Sequence, residues 1–297
     1  MDSNFYLQTP KAHFFDDFDL SCISSDAVRE IFTVFKTNME EAREVVAMSF
    51  VLMLHSEVDI ITQQMHVRSL LDTQINALKG GYEDDDERKY NEAKDLTSST
   101  FKQYEGQKIV EAVAQKLNTL EENSSVKESN LASLRQSIVI IWSAVESLVR
   151  DLIRYKLNSD FKLADNFFQS NETAPYWKKN HITYELLLEY DFNISENLGD
   201  IAFQLNSCNG LNTILTVCRF VFGNDHLSVR LLKDDDFYSL YKLRNLIAHK
   251  NGYVDEKYAQ EVSGDFKVGE RIEILPKDFS KCFLTAKEFA SSLITEF

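Results

Sequence analysis

The chain has 297 residues, enough for one large domain or two modest ones, and its hydrophobic content of 44% supports a true core. Its formal net charge of −15 argues against a protein that coats nucleic acid nonspecifically and against a polybasic membrane binder. The charge is uneven: residues 1–129 hold 13 Lys/Arg against 24 Asp/Glu, and residues 130–297 hold 19 against 23, so the second half is the better candidate to meet an anion.

Only 9 Gly and 3 Pro are present, and that scarcity of breakers predicts helices rather than many short strands. Cys22, Cys208, Cys218 and Cys282 form no CxxC pair, so neither a zinc site nor a disulfide framework is suggested, which fits a reducing compartment. The acidic start, MDSNFYLQTPKAHFFDDFDL, carries no leader pattern, and a cytoplasmic location is expected. The most apolar run, Val45 to Leu54, is ten residues, half of what a spanning helix needs, and reads as a buried core helix; no membrane partner is expected.

In chain order, residues 1–25 read as irregular. Ser25 or Asp26 is a plausible N-cap for a long helix to about Lys79, broken at most once, with Glu30 in its first turns. A second helical stretch covers Glu87 to Leu120, with Gly106 as a weak point. The polar segment EENSSVKESN, residues 121–130, is the candidate boundary, as a linker or a helix–helix loop. After it comes the clearest amphipathic pattern, with Leu134, Ile138, Ile141, Val145, Leu148, Leu152 and Tyr155 at spacings of three and four. Residues 158–180 read as loop. Thr183 caps a further helix, GLNTILTVCRFVFG is a short helix between two glycines, and Asp234 to Asp236 open a strong helix that Gly252 stops. GERIEILP alternates as a short strand or extended arm, and Pro276 opens a closing amphipathic helix.

The last turns of the strong helix carry Arg244, Asn245 and His249. Asn245 and His249, four apart, share a face, whereas Arg244 lies roughly 140° round the axis from His249. One helix alone does not easily focus Arg and His on one atom, but two copies about a twofold axis can. An imidazole can take a proton from a ribose 2′-hydroxyl or give one to a leaving 5′-oxygen, and a guanidinium suits a phosphoryl group gaining charge. Asn can orient either. That set can cleave RNA without a metal, and the bland alternative is basic groups stabilising a helix C-terminus, as Lys250 also does.

RNLIAH resembles the Arg-polar-x-x-x-His signature of the HEPN superfamily, and its setting is similar too: a long amphipathic helix upstream, HKNGYVD after the signature, then RIEIL and a closing helix. The resemblance covers about residues 130–297. It implies an all-α bundle that dimerises or forms a higher homo-oligomer, with Arg244 and His249 as the catalytic pair, Asn245 as the intervening polar residue and Glu146 as a weak match to an acidic neighbour. It implies an RNA substrate, a metal-independent ribonuclease of toxin or antiphage type, no metal or cofactor, and a neutralising or activating protein partner. Residues 1–129 then form an acidic helical region of separate role. An open cleft holding Arg244 and His249 from both subunits favours the enzyme; burial of both against carboxylates or carbonyls favours a non-catalytic dimerisation, RNA- or nucleotide-binding protein; a closed pocket within one chain favours a nucleotide or small-ligand sensor. Candidate substrate-binding residues are Lys250, Lys178 and Lys179 in YWKKNH, and Arg150 and Arg154, although a polar loop anchored by Trp177 and a surface ion-pair stripe explain the last two groups as well. His55 and His66 stand at no ligand spacing and read as structural, and Cys208 and Cys218 read as core thiols.

Overall fold

The computed structural model describes Phe15 and residues 18–80, 86–102, 106–120, 123–174, 183–205 and 210–297. These are all-α: α1 (Asp26–Gly80), α2 (Asp86–Lys102), α3 (Gly106–Leu120), α4 (Ser124–Ser159), α5 (Phe161–Gln169), α6 (Tyr184–Glu189), α7 (Leu198–Leu205), α8 (Leu211–Phe222), α9 (Leu227–Leu232), α10 (Asp235–Lys250), α11 (Glu256–Glu261) and α12 (Pro276–Ile294). The only extended pairing among the described residues is a single antiparallel bridge between Tyr253 and Arg271, so RIEIL is an arm and not a strand.

Contacts divide the chain into two units. One contains Ala47–Asn130; the other contains Leu131–Phe297 together with the described residues from Phe15 to Val46. The division falls inside α1 and inside α4, both uninterrupted helices. Ser25 begins α1, its hydroxyl accepting the Val28 N–H at 3.4 Å.

In the larger unit the core is built on α4. Leu134, Ile138, Ile141, Trp142, Val145, Leu148 and Leu152 are buried, as the spacing predicts, while Tyr155 is half-buried. Trp142 meets Phe237 edge-on at 5.9 Å and Tyr241 at 5.1 Å, and Phe237 meets Phe289 of α12 at 5.1 Å. These aromatic contacts hold α10 between α4 and α12. Residues of the N-terminal segment share this core: Phe15 lies 5.8 Å from Phe283, and Phe18, Phe32 and Phe35 are buried.

The smaller unit is built differently. Ile109, Val113, Ala114 and Leu117 of α3 are buried, Lys116 pairs with the buried Glu57, and His66 sits 3.4 Å from the Thr97 hydroxyl and edge-on to Tyr90. Ser69, Thr73 and Thr97 are buried, with the two threonine hydroxyls donating to carbonyls of their own helices.

Several expectations change. Val45–Leu54 is not a buried core helix: Val46 and Ala47 are buried, but Met48, Val51 and Leu52 are exposed. Length and composition make α1 and α4 each long and apolar enough to cross a membrane, with the most apolar stretch of α1 only 17% buried and that of α4 56% buried. The uninterrupted ten-residue run therefore understates α1, because scattered polar residues do not lower its average enough. Most of 121–130 is helix: α4 starts at Ser124, and its first two turns are polar because they are largely exposed, with no Gly or Pro to stop them. Within 158–180, Asp160 caps α5 by accepting the Leu163 N–H at 3.0 Å. Gly106 opens α3 instead of sitting inside one long helix.

Helix α7, which sequence periodicity does not reveal, packs its first turn on the end of α4. The Gly199 N–H donates to Asn158 Oδ1 at 2.7 Å, and Arg154 pairs with Asp200. A Cβ at Gly199 would stand 2.8 Å from the Arg154 Cα, against backbone that cannot swing aside. Gly199→Ala is expected to destabilise the protein by about 1–3 kcal/mol through overpacking, read as a lower chemical-denaturation midpoint with an unchanged slope. An unchanged midpoint would show that this helix pair has slack.

Candidate functional site

Helix α10 is delimited at both ends. Asp234 caps its start, accepting the Asp236 N–H at 2.9 Å, and Asp235 and Asp236 occupy the first turn, where the dipole is positive. At the other end Asn251 takes φ 52° and Gly252 φ 80°, and the Gly252 N–H donates to Leu246 O at 3.1 Å. Arg271 of the extended arm clamps this turn, donating to Asn251 O at 2.9 Å and to Asn251 Oδ1 at 2.7 Å. Backbone bonds Ile272 N–H to Gly252 O and Val254 N–H to Glu270 O hold the arm in register. Beneath it, Leu246, Val254, Tyr258 and Val262 form a small buried cluster with Phe266 and Ile272.

The signature residues open onto a cavity of about 520 Å³ lined by Glu146, Gly210, Tyr241, Lys242, Arg244, Asn245, Leu246, His249, Lys250, Asp255, Lys257, Tyr258 and Glu261. Arg244 and His249 thus share one cavity within one chain despite their angular separation on the helix. Their surroundings differ. The Arg244 side chain is 21% exposed; it stands 3.6 Å from Glu146 Oε2 and donates to Asn245 Oδ1 at 2.9 Å. Arg244 Nε and Glu146 Oε1 are buried without a hydrogen-bond partner among the described residues. His249 is exposed and makes no hydrogen bond or ion pair among the described residues. His249 therefore has the open setting expected of an enzyme, whereas Arg244 is held by a carboxylate and an amide.

The cavity edge carries both signs. Lys242 pairs with Glu261 and lies 5.1 Å over the Tyr238 ring. Desolvation pulls the Lys242 ammonium down, but its bonds to Glu261 and Tyr238 outweigh it and the net shift is upward; the same bond to Lys242 lowers the Glu261 carboxyl. Burial pushes the Tyr258 phenol far up, so it stays protonated near neutrality. Asp255 caps α11, accepting the Tyr258 N–H at 2.8 Å. Lys250 and Lys257 are exposed, with no ion pair among the described residues. The rim therefore keeps two exposed lysines that form no close ion pair among the described residues, although Lys257 acts electrostatically on Glu261 across the cavity edge.

Of the other candidates, Arg150 and Arg154 do not line this cavity. Arg150 pairs with Asp151 at 3.0 Å, and Arg154 pairs with Asp151 at 3.3 Å and with Asp200. Lys178, Lys179 and Trp177 lie outside the described residues, as does Cys208; Cys218 is buried. Tyr241, Lys242, Lys257 and Tyr258 were not anticipated. For the first two a signal exists: Tyr241, Asn245 and His249 follow at intervals of four, and Lys242 stands seven before His249.

Compared with models of known protein families, with curated proteins and with solved structures, the chain shows no match.

Removing the carboxylate isolates a half-buried guanidinium. Glu146→Ala is expected to cost about 1–3 kcal/mol of stability, with Glu146→Gln costing less because the amide keeps the side-chain volume and a polar oxygen facing Arg244. Denaturant titration of both variants measures this; equal stability to wild type would mean that the 3.6 Å approach is incidental.

Proposed function

We propose that the chain is a metal-independent endoribonuclease of HEPN type, acting on cellular RNA in the cytoplasm as a conditional toxin or antiphage effector. The observation that carries this reading is the convergence of Arg244, Asn245, His249 and Lys250 on one open cavity. In the proposed step the ribose 2′-oxygen attacks the adjacent phosphorus and the 5′-oxygen leaves, giving a 2′,3′-cyclic phosphate and a free 5′-hydroxyl. His249 moves a proton, taking it from the 2′-hydroxyl or giving it to the 5′-oxygen; its freedom from internal partners leaves its ring nitrogens available to substrate. Arg244 faces the phosphoryl oxygens as they gain charge, and Asn245 and Glu146 orient its guanidinium. Lys250 and Lys257 supply the attraction for the RNA backbone. A second copy docking through the α10 face supplies the opposite half of the cleft.

A second reading draws on the Arg244–Glu146 approach: the signature helix is an interaction surface of a binding protein, with Arg244 as a structural ion pair and no chemistry.

An RNA cleavage assay in EDTA separates the two, comparing wild type with His249→Ala and Arg244→Ala at matched oligomeric state. The enzyme reading expects cutting that survives EDTA, falls about 10²–10⁴-fold in His249→Ala and about 10²–10³-fold in Arg244→Ala, and leaves 2′,3′-cyclic ends. Cutting by His249→Ala at the wild-type rate removes the assigned acid/base. RNA binding by wild type without any cleavage, unchanged in His249→Ala, selects the binding protein.

A further inference from the structure

The C-terminal half of α1 places its side chains the opposite way to an ordinary helix in a globular fold. Ile60, Val67, Leu71, Ile75 and Leu78 are 41%, 57%, 55%, 46% and 81% exposed, while Ser69 and Thr73 of the same helix are buried. At 100° per residue the five apolar positions lie within an arc of about 80°, and Ser69 and Thr73 lie on the far side. From Val67 to Leu78 the apolar positions follow turn by turn, with the exposed Gln64 separating them from Ile60, and an apolar stripe of that length marks a surface that meets something.

One edge of the stripe carries Arg68 and Asp72, one turn apart. Both are exposed, and neither forms an ion pair with a described residue, including the other. Their placement selects the partner. Two antiparallel helices related by a twofold axis bring the same edge of each copy together, whereas two parallel helices bring opposite edges together. Antiparallel pairing centred near Leu71 sets Arg68 of each copy beside Asp72 of the other, Val67 opposite Ile75, and Leu71 against itself. The edge is thus complementary to its own rotated copy, and the central apolar positions close over one another.

We infer that this stripe is an isologous interface between two copies of the chain, formed by antiparallel pairing of α1 over Gln64–Leu78. It does not involve α10 and stands whether or not the site cleaves RNA. A chain that also pairs through α10 would then assemble beyond a dimer.

The test uses the full-length chain in sedimentation analysis. Val67→Glu with Leu71→Glu is expected to reduce the assembled mass at least twofold with helicity unchanged by circular dichroism. Arg68→Asp alone, or Asp72→Arg alone, sets like charges together and is expected to weaken association roughly tenfold, while the double exchange R68D/D72R restores it. Restoration by the double exchange is a result that misfolding does not produce. Leu71→Cys in a Cys22→Ser background is expected to cross-link to itself through a short bis-maleimide, and Leu78→Cys, far from the axis, is not. Unchanged mass in the double glutamate variant overturns the inference, as does equal cross-linking at 71 and 78, which signifies parallel pairing. Stripe-dependent binding to neutral phosphatidylcholine vesicles, with no change of mass in solution, assigns the stripe to lipid and also overturns it.

Discussion

The candidate site depends on one packing constraint, the seating of Trp142 against α10. Trp142 is fully buried and touches Phe237 and Tyr241, so two successive turns of α10 are fixed against one turn of α4. One turn further along both helices, Glu146 comes to Arg244. The apolar contact thereby sets the register of the polar one. Without it, a 3.6 Å approach between two half-buried charged groups has nothing to hold it, because desolvation offsets much of the attraction between such groups. Phe289 completes the clamp from the other side, which gives the closing helix α12 a role in the site although it contributes no residue to the cavity.

The second constraint is the abrupt end of α10. Residues in the last turn of a helix fray unless the free carbonyls are met. Here the left-handed Asn251–Gly252 turn returns an N–H to Leu246, and Arg271 ties Asn251 to the extended arm. His249 therefore sits on a turn fixed by its backbone while its side chain stays exposed. A rigid mount with a free ring is the arrangement a proton-transfer group needs, since its position is set without committing either nitrogen.

How much of this was legible in the sequence follows from which interactions are local. The α10 caps are local, and Asp234 and Gly252 announce them. The α4 core face is periodic and equally plain. Glu146 could be placed near the site only by resemblance, because its approach to Arg244 spans nearly a hundred residues. The assignment of the stretch from Phe15 to Val46 to the larger unit was hidden for a different reason: α1 passes from one unit to the other without a break, so no change of composition marks the place. Helices α5, α7, α9 and α11 have nine residues or fewer, too short for periodicity to declare, and the glycine that lets α7 approach α4 reads in isolation as a breaker.

Charge gives the site its contrast. A chain of net charge −15 repels a polyanion on the whole, most of the excess lying in residues 1–129, and that repulsion acts at the range of the Debye length, roughly 8–10 Å. Within the cavity, Glu261 pairs with Lys242, Glu146 faces Arg244 with one oxygen unbonded among the described residues, and Asp255 is used as a helix cap. Lys250 and Lys257 stand exposed on the same cavity as His249 without a close ion pair among the described residues. For an RNA-cleaving site this combination favours a substrate that can insert a phosphate locally at the lysines of the cavity rim. Pairing of copies through α10 would set two such rims together and double that local attraction without altering the repulsion elsewhere, so assembly and substrate affinity would rise together.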